Sequence, residues 1–313
     1  MNVSSSERSD IEFISGEDTI SAWHYRPTTD ALEDQRGAPA VILGHGYGLT
    51  RDCGLQVYAE RFAAAGIHAI VFDYRGFGAS GGAHREVVDV KRQLEDYKAA
   101  IAAVRRLEGV DPDRVALWGT SYSGGLAVAA AAIDGRIAAV IAQVPNLDNR
   151  ATLKFLMRNT PPLRMAWLVS CIARDVVRAA TRRSPYYIVA NGHDGERAAY
   201  ASSEAMEQLA GIVGPSWANR VAMRDFARVP LFRAVKYLPD LPCRLQMMTC
   251  EDDGLTPVAP ALKAAAALGE QAELHRFPGG HFAIYVEPVF AQALAAQEDF
   301  LVKELGLTTP DAG

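Results

Sequence analysis

Short apolar runs alternate with longer amphipathic stretches along most of the chain. Residues 39–43 (PAVIL), 67–73 (IHAIVFD), 114–118 (RVALW), 137–144 (IAAVIAQV), 243–250 (CRLQMMTC) and 272–278 (AELHRFP) are short and largely apolar on both faces. Such runs predict parallel strands covered by helices on each side. Upstream, IEFIS and ISAWHYRP flank GEDT, which reads as a hairpin turn. Between the runs lie helical patterns at 55–66, 85–109, 124–134, 258–269 and 288–306. The second and last of these are the longest, and Gly66, Gly109, Gly269 and Gly306 supply stop signals. Strands that alternate with helices predict a doubly wound, mostly parallel α/β sheet. Right-handed crossovers would then gather the strand C-terminal ends, and with them a site, along one edge.

The alternation stops between about residue 147 and residue 240. That segment shows helical patterns, several prolines and the loop NGHDG, but no convincing buried strand. A stretch this long between two core strands is not expected to be a bare loop. It reads as a helical cap inserted into the core.

Composition narrows the function classes. The chain has 313 residues, 49% hydrophobic and 22% charged, which fits one large globular domain with an insertion. Its formal net charge of −5 lacks the basic surplus of a nucleic-acid binder. No window approaches the roughly 20 apolar residues of a membrane span, so no membrane partner is expected. MNVSSSERSDIEF has no apolar core to act as a secretory signal, and a cytoplasmic protein is expected. Cys53, Cys171, Cys243 and Cys250 lack CxxC spacing and read as buried free thiols. No cofactor and no metal are expected.

Candidate chemistry begins directly after RVALW, at GTSYSGG, residues 119–125. A strand, a tight turn and a helix in that order suit a nucleophile elbow, Gly-x-Ser-x-Gly. The stretch fits in two registers. With Ser121 as nucleophile the flanking small residues are Gly119 and Ser123; with Ser123 they are Ser121 and Gly125. Strand length favours Ser121, because the turn should begin where the strand ends. Glycine-rich strand–helix turns are common, so the motif needs partners. Acyl transfer also needs an oxyanion hole. The backbone N–H of Tyr122, the residue after the nucleophile, is one candidate donor. The N–H of Tyr47, in the glycine-rich loop GHGYG, is the other.

A triad acid and then a histidine should follow. Glu251, Asp252 and Asp253 come immediately after the strand at 243–250. Asp253 is the better candidate because it begins the turn into Pro257, and Asp252 is second. A solvated turn with a helix cap would carry the same residues. Of seven histidines, His24, His68 and His275 sit in strand patterns, His84 precedes a helix, and His193 lies in the cap. His45 reads as an organiser of its loop. His281 follows FPGG on a loop before the final helix, where a base could reach the nucleophile. Ser121, Asp253 and His281 in that order, each after a strand, outweigh the bland reading of each alone.

The segments GHGYG, FDYRGFGASGG (72–82), DPDRVALWGTSYSGG (111–125), EDDGLTP and PGGHFAIY (278–285) together resemble the α/β-hydrolase superfamily. The likeness is greatest to its dienelactone-hydrolase-like and acetyl-xylan-esterase-like branch, which includes polyketide acyltransferase-like enzymes. The resemblance implies a core at 1–146 and 241–313, a helical cap at 147–240, and a Ser121–Asp253–His281 triad. Ser123 in place of the motif's glycine and the run of carboxylates depart from the pattern. The implied activity is serine hydrolysis of an ester or thioester of a small to medium, largely apolar substrate. Acyl transfer and C–C bond hydrolysis use the same triad, and a non-catalytic ligand-binding protein would be marked by a broken one. Phe155, Trp167, Tyr186, Tyr187 and Trp217 are cap aromatics that could shape the acyl pocket or build the cap's own core. The expected partner is a small molecule, with no nucleic acid; the oligomeric state stays open, a homodimer included.

Overall fold

Alternation marks the first strand: β1 (Arg8–Ser15) exposes every second side chain, as an edge strand covered on one face does. It turns at Gly16, whose φ of 63° favours glycine, and pairs antiparallel with β2 (Asp18–Tyr25). The next strands lose the alternation. β3 (Ala38–Gly44) and β4 (His68–Phe72) are buried at every position and run parallel, with α1 (Gln56–Ala64) connecting them. Here and below the fold is that of a computed structural model, which describes residues 7–306. The chain continues through α2 (Val90–Val104), β5 (Val110–Thr120), α3 (Tyr122–Asp134) and β6 (Ala139–Gln143). After the insertion come β10 (Arg244–Cys250), α7 (Ala259–Leu268), β11 (Ala272–Phe277) and α8 (Val289–Leu305).

Eight strands form one sheet in the order β1-β2-β4-β3-β5-β6-β10-β11. The β1/β2 and β2/β4 pairs are antiparallel and the rest are parallel. Successive residues of the central strands feed opposite faces. Val41, Leu43, Ala116 and Trp118 pack under α1 and α8, against Tyr58, Phe62, Phe300 and Leu301. Ala40, Ile42, Val115 and Leu117 pack on the other side, against Tyr97, Ile101 and Leu126 of α2 and α3. The doubly wound sheet expected from the sequence is therefore present, with its parallel strands ending on one edge.

Two segments depart from the expected pattern. The helix expected from residue 85 begins at Val90, because the Asp89 carboxylate accepts from the N–H groups of Lys91 and Arg92 and caps it there. The residues before it are spent on the insertion: the Glu86 carbonyl accepts from Ala222 N, and the Arg85 carbonyl accepts from the Tyr187 hydroxyl. The insertion itself has helices α4 (Asn149–Asn159), α5 (Pro162–Ala180) and α6 (Ser203–Ala210). It also has three strands that the sequence pattern did not reveal: β7 (Tyr187–Gly192), β8 (Ala198–Ala201) and β9 (Arg220–Ala222). They form a separate sheet in the order β8-β7-β9. At six, four and three residues, they are too short for an apolar run to stand out.

Between β2 and β4, Nε2 of His24 lies 2.8 Å from Nδ1 of His68, and both rings are buried. Burial, then His68 and Arg26, push the His24 imidazole down to about 4. Burial likewise lowers His68. With folded values below the ordinary value of about 6.5, the unfolded chain binds more protons between those limits. Stability from the pair is therefore complete above about pH 6.5 and is lost as pH falls towards 4. Urea-unfolding midpoints should drop through that window, and drop less in His24→Gln. Equal drops in both proteins would show that other groups dominate.

Candidate active site

β5 ends at Thr120 and α3 begins at Tyr122, so Ser121 alone makes the turn. Its φ of 56° and ψ of −119° lie where side chains are strained. Three backbone hydrogen bonds hold it there. Ser121 N donates to the Gln143 carbonyl at 2.7 Å, and its own carbonyl accepts from Gly124 N at 3.1 Å and Asn146 N at 2.8 Å. The neighbouring glycines are needed for space. A Cβ on Gly119 would lie 2.2 Å from the Ser123 carbonyl oxygen, and one on Gly125 would lie 2.4 Å from that of Asn146. Ser123 sits inside the first turn of α3, fully buried, with its Oγ 2.6 Å from the Tyr74 hydroxyl and 2.9 Å from that of Tyr97. Glycine at 123 would leave those phenols without this partner, which accounts for the departure from the elbow pattern.

Nε2 of His281 lies 3.0 Å from Ser121 Oγ, and its Nδ1 lies 2.6 Å from Asp253 Oδ2. All three side chains thus share one line of hydrogen bonds, arriving from the β5, β10 and β11 ends of the sheet. Asp253 is fixed further. Its Oδ1 accepts from the N–H groups of Leu255 and Thr256 at 2.8 and 2.7 Å, and Oδ2 accepts from the Thr256 hydroxyl at 2.6 Å. Burial would raise its carboxyl pKa. The neighbouring His281 and the hydrogen bonds from His281 and Thr256 outweigh this and hold it below the ordinary carboxylate value. Asp252 is exposed, and Glu251 pairs with Arg276 at the surface, so neither joins the line. Thr256 was not singled out from the sequence. Its signal was there, in a Thr three residues after an Asp at a turn.

The glycine-rich loop after β3 crosses directly above the elbow. A Cβ on Gly46 would be 3.6 Å from Ser121 Cβ and 3.7 Å from the Thr120 carbonyl. His45 organises that loop, its Nδ1 donating to the Gly46 carbonyl at 3.0 Å while Nε2 accepts from Tyr74 N. Burial lowers its pKa, in keeping with this neutral tautomer. Tyr122 opens α3, so its N–H has no intrahelical acceptor. The Tyr47 N–H has no backbone acceptor among the described residues.

A cleft of about 150 Å³ lies over Ser121 and His281. Leu49, Leu255 and Phe282 of the core face Leu153, Leu156 and Phe226 of the insertion across it. Asn146, Asn149 and Thr152 provide polar groups at one wall, bound to one another.

The family description "X-Pro dipeptidyl-peptidase (S15 family)" matches residues 15–166. The quorum-quenching protein AidA of Acinetobacter baumannii is 33% identical, over 93% of each chain. The chain belongs to the α/β-hydrolase superfamily. The polyketide transferase grgF of a Penicillium species is 28% identical over 97% of this chain and 99% of its own. The crystal structure of α/β hydrolase GrgF superposes with a TM-score of 0.77 at 25% identity, covering 96% of this chain and 99% of that one. The α/β hydrolase described here is a serine-hydrolase enzyme, with proteins named as a thiohydrolase and an acyltransferase among its relatives. No helix among its described residues is long and apolar enough to cross a membrane.

The cap aromatics singled out from the sequence do not line the cleft. Trp167 and Tyr186 pack in the apolar cluster that includes the cap's own Leu168, Cys171 and Met223, Tyr187 bonds the Arg85 carbonyl, and Trp217 donates to the Gly48 carbonyl at 3.0 Å. Tyr187 and Trp217 thus tie cap to core, while Leu153, Leu156, Tyr200, Phe226 and Val229 face the cavity instead.

Ser123→Gly should lower unfolding free energy by about 1–3 kcal/mol, the cost of leaving the buried Tyr74 hydroxyl without its partner. Unchanged urea stability would refute the role given to its hydroxyl. Thr256→Val removes a hydrogen bond that lowers the Asp253 pKa, so the Asp253 carboxyl should titrate at higher pH in a carbon-13 NMR titration. An unmoved carboxyl titration would mean that Thr256 does not tune the acid.

Proposed function

We propose that the protein is an esterase or thioesterase that works through an acyl-enzyme on Ser121. The observation that carries this reading is the hydrogen-bonded line Ser121–His281–Asp253 at the floor of an apolar cleft. His281 Nε2 takes the hydroxyl proton as Ser121 Oγ bonds to the substrate carbonyl carbon. Asp253 keeps the imidazole oriented and stabilises its positive charge. The N–H groups of Tyr122 and Tyr47 bind the oxyanion, each such donor being worth about 3 kcal/mol in the transition state. The C–O or C–S bond then breaks, and the leaving group departs with the proton from His281. Water, activated by the same imidazole, releases the acid and restores Ser121.

The cleft sets the acyl class. An apolar cavity of about 150 Å³ holds a benzene-sized group, so a short, largely apolar acyl chain fits. The substrate is a small molecule. The division into a core at 1–146 and 241–313 and a cap at 147–240 belongs to the same reading, as does a cytoplasmic setting, which suits four free buried thiols. Transfer to an acceptor other than water is the second reading, supported by the relative named as a polyketide transferase.

Intact mass after fluorophosphonate treatment tests the nucleophile. One adduct is expected on the wild type and on Ser123→Ala, and none on Ser121→Ala. An adduct lost only in Ser123→Ala would overturn the assignment, and a folded wild type with no adduct would sink the enzyme mechanism. On short-chain thioesters, a rate increased by added alcohol or amine would favour transfer over hydrolysis.

A further inference from the structure

The consecutive helices α4 and α5 carry exposed side chains that the chemistry above does not use. Residues 149–183 carry eight basic side chains and one acidic one, in a chain whose net charge is −5. Arg150, Lys154 and Arg158 of α4, Arg174 of α5, and Arg182 and Arg183 after it are exposed. Arg164 and Arg178, half-buried, donate to the carbonyls of Ala198 and Ser184. Arg174 stacks over the Tyr186 ring at 4.2 Å. None of the eight pairs with a carboxylate among the described residues. Asp175, the single acid, is buried and taken by Arg224. Elsewhere in the cap Arg220, Arg228 and Arg233 all have carboxylate partners.

α5 adds an apolar face. Its buried side is Leu168, Cys171 and Asp175. Opposite, at alternating spacings of three and four residues, lie Leu163, Ala166, Ser170, Ala173, Val177 and Ala180, all exposed, with Val169 and Val176 beside them. Leu163 is 88% exposed and Val177 63%. The 19 residues make a rod of about 28 Å at 1.5 Å per residue, and that outer face carries no charge along its length. An aliphatic stripe this long turned to water calls for an occupant. The surrounding charge says which kind. A second copy docked through the same segment would set one unneutralised cationic surface against another, so the charge favours an anionic occupant. A helix face of small and aliphatic residues, with Leu163, Val169, Val176 and Val177 exposed and unpaired arginines nearby, is the pattern of a helix that lies in a membrane interface.

We propose that the α4–α5 segment docks the protein on an anionic lipid surface. The aliphatic stripe enters the headgroup layer while the basic side chains meet lipid phosphates. Adsorption of this kind needs no membrane-spanning helix. The cytoplasmic leaflet, which carries the negative surface potential, is the matching face. The geometry also connects to the cleft, because Thr152, Leu153 and Leu156 of the same α4 form its wall.

The test is co-flotation of the full chain with vesicles of phosphatidylcholine alone or of equimolar phosphatidylcholine and phosphatidylglycerol. It needs no turnover, so it stands apart from the acyl-enzyme reading, which fluorophosphonate labelling tests. Binding is expected to the anionic vesicles only. It should be lost at about 1 M salt, where the screening length is about 3 Å. Reversing Arg150, Lys154 and Arg158 to Glu should lower the partition at least about 100-fold, each basic residue being worth about fivefold. Val169→Asp with Val177→Asp should abolish it, with near-UV circular dichroism confirming that both variants fold. Wild-type protein that stays off anionic vesicles at low salt overturns the proposal, as does equal binding by the folded variants. A dimer by light scattering that Val169→Asp/Val177→Asp dissolves would give the face to a second copy. Binding to an acidic helical peptide but not to vesicles would give it to a protein.

Discussion

The site depends on one residue being held in a backbone conformation it would not choose. Ser121 alone joins a buried strand to a buried helix, and three backbone hydrogen bonds with close glycine contacts keep it there. Such strain survives only where the surroundings over-determine it. Here they do so from three directions. β6 supplies the Gln143 carbonyl, the loop after β6 supplies Asn146 N, and α3 supplies Gly124 N. The sheet around β5 is buried on both faces, so the elbow's support is as rigid as the core. The strand order places β5 at the centre, between β3 with the glycine loop and β6 with the first cap connection.

Around that fixed point most polar groups are paired, the buried hydroxyls of Tyr47 and Tyr122 excepted. The carboxylate of Asp253 is buried, which would be costly for an isolated charge, but it accepts four hydrogen bonds within its own turn and from His281. Beneath the elbow, Ser123 ties Tyr74 to Tyr97, and a Cβ on Gly44 would lie 2.3 Å from the Tyr97 oxygen. The β3 backbone therefore approaches α3 closely only because that position has no side chain. His45, neutral and buried, carries the same tight packing into the loop above. The cleft remains apolar because the polar atoms around it are mostly bonded to one another.

The sheet was legible in the sequence because its parallel strands are written as short, largely apolar runs, and each run overlaps the strand it predicted. The elbow was legible from its place between such a run and a helix, which also favoured Ser121 over Ser123. What was hidden depended on contacts across long stretches of chain. Nothing local says that Ser123 meets Tyr74 and Tyr97, whereas the turn into Pro257 already favoured Asp253 over Asp252. The cap's small sheet was hidden for a different reason. Its strands are short and half-exposed, and their pairing is fixed by the Asn191–Asn219 and Asp175 contacts rather than by an apolar run. The sequence left the cap aromatics open between pocket and cap core, because large apolar side chains serve packing and cavity lining equally well.

The wall of the cleft has a consequence for how this fold can diverge. Thr152, Leu153 and Leu156 sit within five residues of one another on a single exposed-edge helix, while the reactive groups hang from the ends of core strands. Selection can therefore recut the acyl preference by drift on one short helix, without disturbing the inherited chemistry. Ancestry would be preserved in the sheet and erased first in α4.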